Sequence, residues 1–427
     1  MRIIHTADWH LGQHFMGKSR EEEHQRFLEW LLTAIKTQNI DAVIVAGDVF
    51  DTGTPPSYAR HMFNRFVGDI KDAGCQLLVL GGNHDSVAML EESSELLRRL
   101  GVHLVAKPAD DPVDQVVRFD GAGSNDAPGA LVCAIPFIRP RYIVKSVAGQ
   151  DGDTKQQQLQ TAIAEHYQAV YNAAVKLRED NQWDCPIIAT GHLTAVGASR
   201  SDSVRDIYIG TLDAFPASAF PPADYIALGH IHSAQKVAGQ ENIRYSGSPI
   251  PLSFDESGHG LKKSVVQITT GAGCAIDFEV IGLPDFRTLV TIRGDLDTIE
   301  TNVAALVADN SPVSDLTSWL EVIVSTEDYL DDLQQRVAAL VDGHDIEVLL
   351  VRRDRKHRSA TLETAQKQTL NELSVDDIFE HRLTEAYATS DLAAEDQAAQ
   401  ARNREAQDRL KTLYRQVVSE VQSGDAV

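Results

Sequence analysis

Five times in this chain a short apolar run ends in a cluster of Asp, His or Asn. Ile3-Ile4-His5-Thr6-Ala7 leads into Asp8-Trp9-His10, and Ala42-Val43-Ile44-Val45-Ala46 into Gly47-Asp48. Leu77-Leu78-Val79-Leu80 leads into Gly82-Asn83-His84-Asp85, and Ile187-Ile188-Ala189-Thr190 into Gly191-His192. Tyr225-Ile226-Ala227-Leu228 leads into Gly229-His230-Ile231-His232. Short apolar runs bounded by turn residues read as buried strands. Ligands of open α/β sheets gather beyond the carboxyl ends of the strands, so these five ends can converge on one pocket.

Between the runs, apolar residues recur at helical spacing. Phe27, Trp30, Leu31, Ala34 and Ile35 follow the cap-like Ser19-Arg20-Glu21-Glu22. Met62, Phe63, Phe66, Val67 and Ile70 follow Thr54-Pro55-Pro56-Ser57. Residues 86–100 and 156–181 read as further helices, and Leu131 to Ile135 as another strand. This alternation predicts an α/β fold with a largely parallel sheet and helices on its faces.

The clustered side chains are the candidate chemistry. Asp8, His10, Asp48, Asn83, His192, His230 and His232 form a mixed nitrogen and oxygen donor set without thiolate, suited to Mn²⁺, Fe²⁺ or Zn²⁺. Asp48 ends a strand where a carboxylate can bridge two ions, and such pairs hydrolyse phosphoesters with a metal-bridging hydroxide. His84 is expected outside the ligand set, contacting the phosphate or protonating the leaving oxygen, with Asp85 orienting its ring. His5 reads as a packed core histidine. His24, His61, His103, His166, His259, His344, His357 and His381 lack the motif context and read as surface or helix residues.

A chain of 427 residues has room for two or three domains. Residues 1–282 read as the α/β unit, with Tyr245 to Pro251 as a loop after the fifth motif and a strand pair before Leu283-Pro284. Residues 283–353 read strand, helix, strand, helix, strand, a small α/β module. Residues 354–427 are charged, Ala- and Gln-rich and helical, with a short amphipathic helix carrying Ile378, Phe379 and Leu383 and a last helix over 392–421. An amphipathic helix too short to bury its own face docks on a partner. The run 352–358 is basic, and reads as a solvated linker or a contact for a DNA backbone.

No apolar run approaches the length of a membrane span, and the N-terminus lacks a signal-peptide pattern. The scattered Cys75, Cys133, Cys185 and Cys274 read as reduced thiols. A cytoplasmic protein is expected. The net charge of −23 argues against a basic nucleic-acid coat. Action on DNA then needs metal ions, local basic patches or a partner's surface.

The five clusters resemble the phosphoesterase motifs of the calcineurin-like metallophosphoesterases. Their flanks, His5-Thr6-Ala7-Asp8-Trp9-His10-Leu11-Gly12, Ala46-Gly47-Asp48-Val49-Phe50-Asp51 and Gly247-Ser248-Pro249, resemble the SbcD family of bacterial nuclease subunits within it. That resemblance implies a metallophosphoesterase core of β-sheets flanked by helices, a small α/β DNA-capping domain and C-terminal helices. It implies a Mn²⁺-dependent double-strand 3′→5′ exonuclease and hairpin endonuclease. Asp8, His10, Asp48 and His232 would bind one ion, and Asp48, Asn83, His192 and His230 the other. It also implies a homodimer and an SbcC-type coiled-coil ATPase, together a heterotetramer on DNA. Tyr58, Met62, Phe63, Phe66 and Leu90 would lie at the dimer contact, and Ile378, Phe379 and Leu383 at the ATPase. Some relatives carry His where this chain has Asp51, which argues against a phosphate contact there. The competing readings are a two-metal phosphodiesterase or phosphatase acting on a small molecule or protein, and a non-catalytic scaffold. The extra modules disfavour the first and the complete donor set the second.

Overall fold

The computed structural model describes residues 1–121, 127–144, 152–199, 201, 203–204, 214–257, 262–271, 274–308, 314–325, 333–353, 383 and 409–414. These divide into two compact units, Met1–Leu289 with Val313–Leu316, and Val290–Pro312 with Thr317–Val427.

The first unit holds two six-stranded sheets, where the sequence pattern predicts a single one. One runs in the order Ile276–Gly282, Ser264–Thr270, Arg2–Thr6, Ala42–Val45, Gln76–Leu80, Val102–Val105. Its last four strands are parallel and the first two antiparallel. The other runs Gln235–Val237, Gln240–Tyr245, Tyr225–Gly229, Ile187–His192, Pro128–Cys133, Val116–Asp120. Its outermost strand at each end is antiparallel to its neighbour.

Successive strand residues point to opposite faces, and here both faces are buried. Ile3, Ala42, Ile44, Leu78 and Leu80 pack with Ala130, Val132, Ile188, Tyr225 and Ala227 between the two sheets. The alternate residues Ile4, Val43, Val45, Leu77 and Val79 face helices Glu21–Gln38 and Ser57–Asp72. Leu131, Ile187, Ala189, Ile226 and Leu228 face helix Gly152–Asp180 through Ile163, Tyr167 and Val170. The result is helix, sheet, sheet, helix. A strand buried on both faces reads as a continuous apolar run, which is why one sheet could not be told from two.

Residues 86–100 form two short helices, Val87–Glu92 and Ser94–Arg99, instead of one. Phe63, Phe66 and Leu90, expected at the dimer contact, are largely buried in the chain's own core. Tyr58 and Met62 are only partly buried. His24 is fully buried on its helix and is no surface residue.

The second unit is a three-stranded sheet, Leu289–Gly294, Ser318–Val324, Ile346–Arg353, with helices Leu296–Ala308 and Leu333–Val341. Ile299, Val303, Leu320, Val322 and Val337 form its core. Leu383 is buried, while Ile378 and Phe379 lie outside the described residues, as does most of the expected helix 392–421. Among the described residues no helix is long and apolar enough to cross a membrane.

Candidate metal centre

The first two strand ends are tied to each other by their backbones. The amides of Asp8 and His10 donate to the carbonyls of Gly47 and Asp48, each at 3.0 Å. Asp8, His10, Asp48 and His230 hold φ values of 54°, 47°, 51° and 94°, in the left-handed region that non-glycine residues seldom adopt. Strain of this kind persists where the surrounding fold overdetermines it, and it clusters at functional sites.

Two glycines let the turns approach. A Cβ at Gly47 would stand 2.2 Å from Nδ1 of His192, and one at Gly82 would stand 2.1 Å from Oδ1 of Asp48. The Gly-Asp and Gly-Asn spacing of the motifs therefore follows from the backbone making room for the donors behind it.

All seven expected ligands meet here, and apart from the half-buried Asn83 each is buried. Asp8, His10 and His232 bring one donor atom each to within 4.8 Å of one another, and so do Asp48, His192 and His230. His10, Asp48 and His84 form a third such group. Asn83 Oδ1 lies 2.9 Å from Nε2 of His192 and 3.2 Å from Nδ1 of His230.

Asp8 Oδ2, His10 Nε2, Asp48 Oδ2 and His230 Nε2 are buried without a hydrogen-bond partner. Nε2 of His192 comes within 3.2 Å of Asp48 Oδ2, a charge contact rather than a hydrogen bond. Unpaired buried polar atoms are costly. Four of them in one pocket, two carboxylate oxygens and two imidazole nitrogens, fit divalent cations.

The electrostatics agree. Burial would raise the Asp48 carboxyl, yet His192, His84 and His10 beside it hold it well below the usual range. Burial opposes protonation of His192, but the Asp48 carboxylate pushes it up to about 9. His230 is driven well below its ordinary value by burial and by the neighbouring His192. The pocket is a set of strongly interacting groups that cations of charge two would satisfy together.

His84 sits against the donors. Its ring is 4.5 Å from that of His10, and its amide donates to Asp48 Oδ1 at 2.9 Å. Its ring partner corrects the expected role of Asp85. Nδ1 of His84 donates to the main-chain carbonyl of Asp51 at 2.6 Å. Asp85 instead accepts from the amides of Gly82, Phe50 and Val49 at 2.8, 3.0 and 3.2 Å. It is a clamp on the motif loops. Burial and the charge of Asp48 push its carboxyl up to about 6 against those amides.

Sequence reasoning missed several contributors. Asp51 Oδ1 lies 3.2 Å from Nδ1 of His10. Arg139 donates to the carbonyl of Asp85 at 2.8 Å and stacks over Phe137. Glu256 lies 3.2 Å from Nδ1 of His232. Arg139 and Glu256 fall in no motif, and Asp51 lies in a motif flank that assigns it no contact with His10, so only spatial proximity reveals these three contacts.

Comparisons with known proteins accord with this geometry. Residues 1–234 match the family model described as calcineurin-like phosphoesterase, and residues 285–387 match that described as type 5 capsule protein repressor C-terminal domain. The chain is 52% identical to the SbcD subunit of nuclease SbcCD from Escherichia coli K12, over 90% of its own length and 92% of the relative's. It is 34% identical to the protein of the same name from Bacillus subtilis, over 64% of this chain and 67% of that one. With more than half of its length matched by the phosphoesterase model and a half-identical relative spanning nearly all of it, the chain belongs to the calcineurin-like phosphoesterases, in the SbcD family of nuclease subunits.

Proposed function

We propose that this chain is the metal-dependent nuclease subunit of an SbcCD-type complex, cleaving DNA phosphodiesters at ends and hairpins. The convergence of four unpartnered buried donor atoms carries the hydrolytic part of this reading. The relatives, named as subunits of nuclease SbcCD, support the nuclease part.

Asp8, His10, Asp48 and His232 would hold one divalent ion, and Asp48, Asn83, His192 and His230 the other, with manganese the expected metal. Bound there, the ions supply a nucleophile at neutral pH and Lewis-acid stabilisation of the phosphate. The chain's own groups do the rest. The Asp51 carbonyl accepts the Nδ1 proton of His84, so the ring, when it carries a second proton, would present Nε2–H to a phosphate oxygen or give that proton to the leaving oxygen. Asp85 and Arg139 hold the loop that carries Asn83 and His84.

The double-strand 3′→5′ exonuclease and endonuclease activities, the homodimer and the coiled-coil ATPase complete the reading. Tyr58 and Met62 remain on the proposed dimer face. The small α/β module is assigned to capping DNA, and the segment around Leu383 to the ATPase. A chain of net charge −23 is expected to bind DNA weakly alone and to rely on that partner. The test is digestion of linear duplex DNA by the purified chain with Mn²⁺, beside Asp48→Ala and a chelator. Loss of cleavage in both controls is expected. Cleavage that survives in Asp48→Ala would refute the assignment.

A further inference from the structure

The imidazoles of the centre differ in what stands behind them. His192 turns Nδ1 to the carbonyl of Ala46 at 2.9 Å. Nδ1 of His10 faces the Asp51 carboxylate. Nδ1 of His232 lies 2.6 Å from Ser203 Oγ and 3.2 Å from Glu256 Oε1, so Nε2 is left to meet Asp8 and His10. Both imidazoles grouped with Asp8 are therefore backed by a carboxylate, whereas His192, grouped with Asp48, is backed by a neutral carbonyl.

Glu256 is held by donors from several segments. It is buried, 4% exposed, on the turn Phe254–Glu256. Oε2 accepts from Lys263 Nζ at 2.6 Å and from the Leu252 amide at 3.0 Å. Oε1 accepts from Ser201 Oγ at 2.7 Å and from Ser203. Lys263 also donates to the carbonyl of His232 at 2.9 Å and to Ser248 Oγ at 2.8 Å. One carboxylate thus ties the loop after strand Ile187–His192, the His230-x-His232 motif and the Ser246 to Ser257 segment together, and it ends on a metal ligand.

We propose that Glu256 is a positioning residue for one of the two metal positions. Through its hold on His232 it sets the affinity of the ion shared by Asp8, His10 and His232, and leaves that of the ion at Asp48, His192 and His230 unchanged. A carboxylate that accepts the Nδ1 proton fixes the tautomer and rotation of the ring and raises the basicity of Nε2. A plain buried ion pair with Lys263 would hold the loop without this selectivity. The proposal rests on the two-ion reading and makes the two positions unequal.

The experiment is titration of the full-length chain with MnCl₂, following free Mn²⁺ by its EPR signal and bound Mn²⁺ by calorimetry. The wild type is compared with Glu256→Gln and with Ser248→Ala, a structural control that removes a hydroxyl reaching Glu256 Oε2 and the main-chain carbonyl of His232, but not its ring. The double variant Glu256→Gln/Lys263→Met leaves no unpaired buried charge, and it serves if the single variant does not fold. The wild type and Ser248→Ala are expected to bind two ions alike. In the Glu256 variants one of the two is expected to weaken by about 10- to 100-fold while the other is unchanged. Unchanged binding of both ions, equal weakening of both, or the same loss in Ser248→Ala would overturn the proposal. Fewer than two ions on the wild type would unseat the two-ion reading itself, and the proposal with it.

Discussion

The main-chain carbonyl of Asp51 lies 2.6 Å from Nδ1 of His84, while the Asp51 side chain faces Nδ1 of His10. One residue thus orients a metal ligand with its carboxylate and the neighbouring histidine with its backbone. Asp51→Ala should break only the first link. Mn²⁺ should then bind about 10- to 100-fold more weakly, while turnover at saturating Mn²⁺ returns close to that of the wild type. Cleavage rate against Mn²⁺ concentration measures this. A loss of turnover that excess metal does not restore would argue against the division of roles.

His84→Gln should leave both ions bound, because His84 stands outside the expected ligand set. Turnover should fall by about 10²- to 10⁴-fold, as for loss of a positioned acid or base. Calorimetric Mn²⁺ stoichiometry beside single-turnover cleavage separates the two effects. A variant that loses an ion would place His84 among the ligands.

Glu23 carries two buried guanidiniums. Its Oε1 accepts from Nε of Arg20 at 2.8 Å and from Nε of Arg287 at 2.7 Å. Glu23→Ala would remove the buried carboxylate that both cations share, leaving Arg20 its bond to the Pro251 carbonyl and Arg287 its contact with Glu22, and should cost roughly 3–5 kcal/mol. A urea midpoint equal to that of the wild type would show that solvent reaches these charges.

His5 lies in the first strand with no exposed surface, between Tyr225 and the carbonyl of Leu228. Burial lowers it from 6.5 to about 3, against the carbonyl. Between those values the unfolded chain binds a proton that the folded chain refuses, so stability rises with pH there. It is lost as pH falls below the unfolded value. From pH 6.5 to 5 this one residue should contribute on the order of 2 kcal/mol of destabilisation. His5→Gln should flatten that part of the curve in denaturant titrations, and an unchanged slope would assign the acid sensitivity elsewhere.

The donors are legible in the sequence because each motif couples a strand signal to a turn, and the strand end determines where the side chain points. The small module is legible because its elements alternate in sequence. The hairpin Gln235–Val237 with Gln240–Tyr245 escapes such reading because a strand of three residues beside Gln240-Glu241-Asn242 has almost no apolar period. Asp85 misleads because turn carboxylates and ring-orienting carboxylates look alike until the amides around them are placed. Glu256 is hidden because its partners, Ser203 and His232 on one side and Lys263 on the other, are brought together only by three loops.

The left-handed turns at Asp8, His10, Asp48 and His230 set robustness and activity against each other. Glycine at any of these positions would relax the backbone and remove a donor in the same step. Selection for heat resistance alone would therefore favour the loss of these donors, and thermotolerant variants that still cut must gain their margin at other positions.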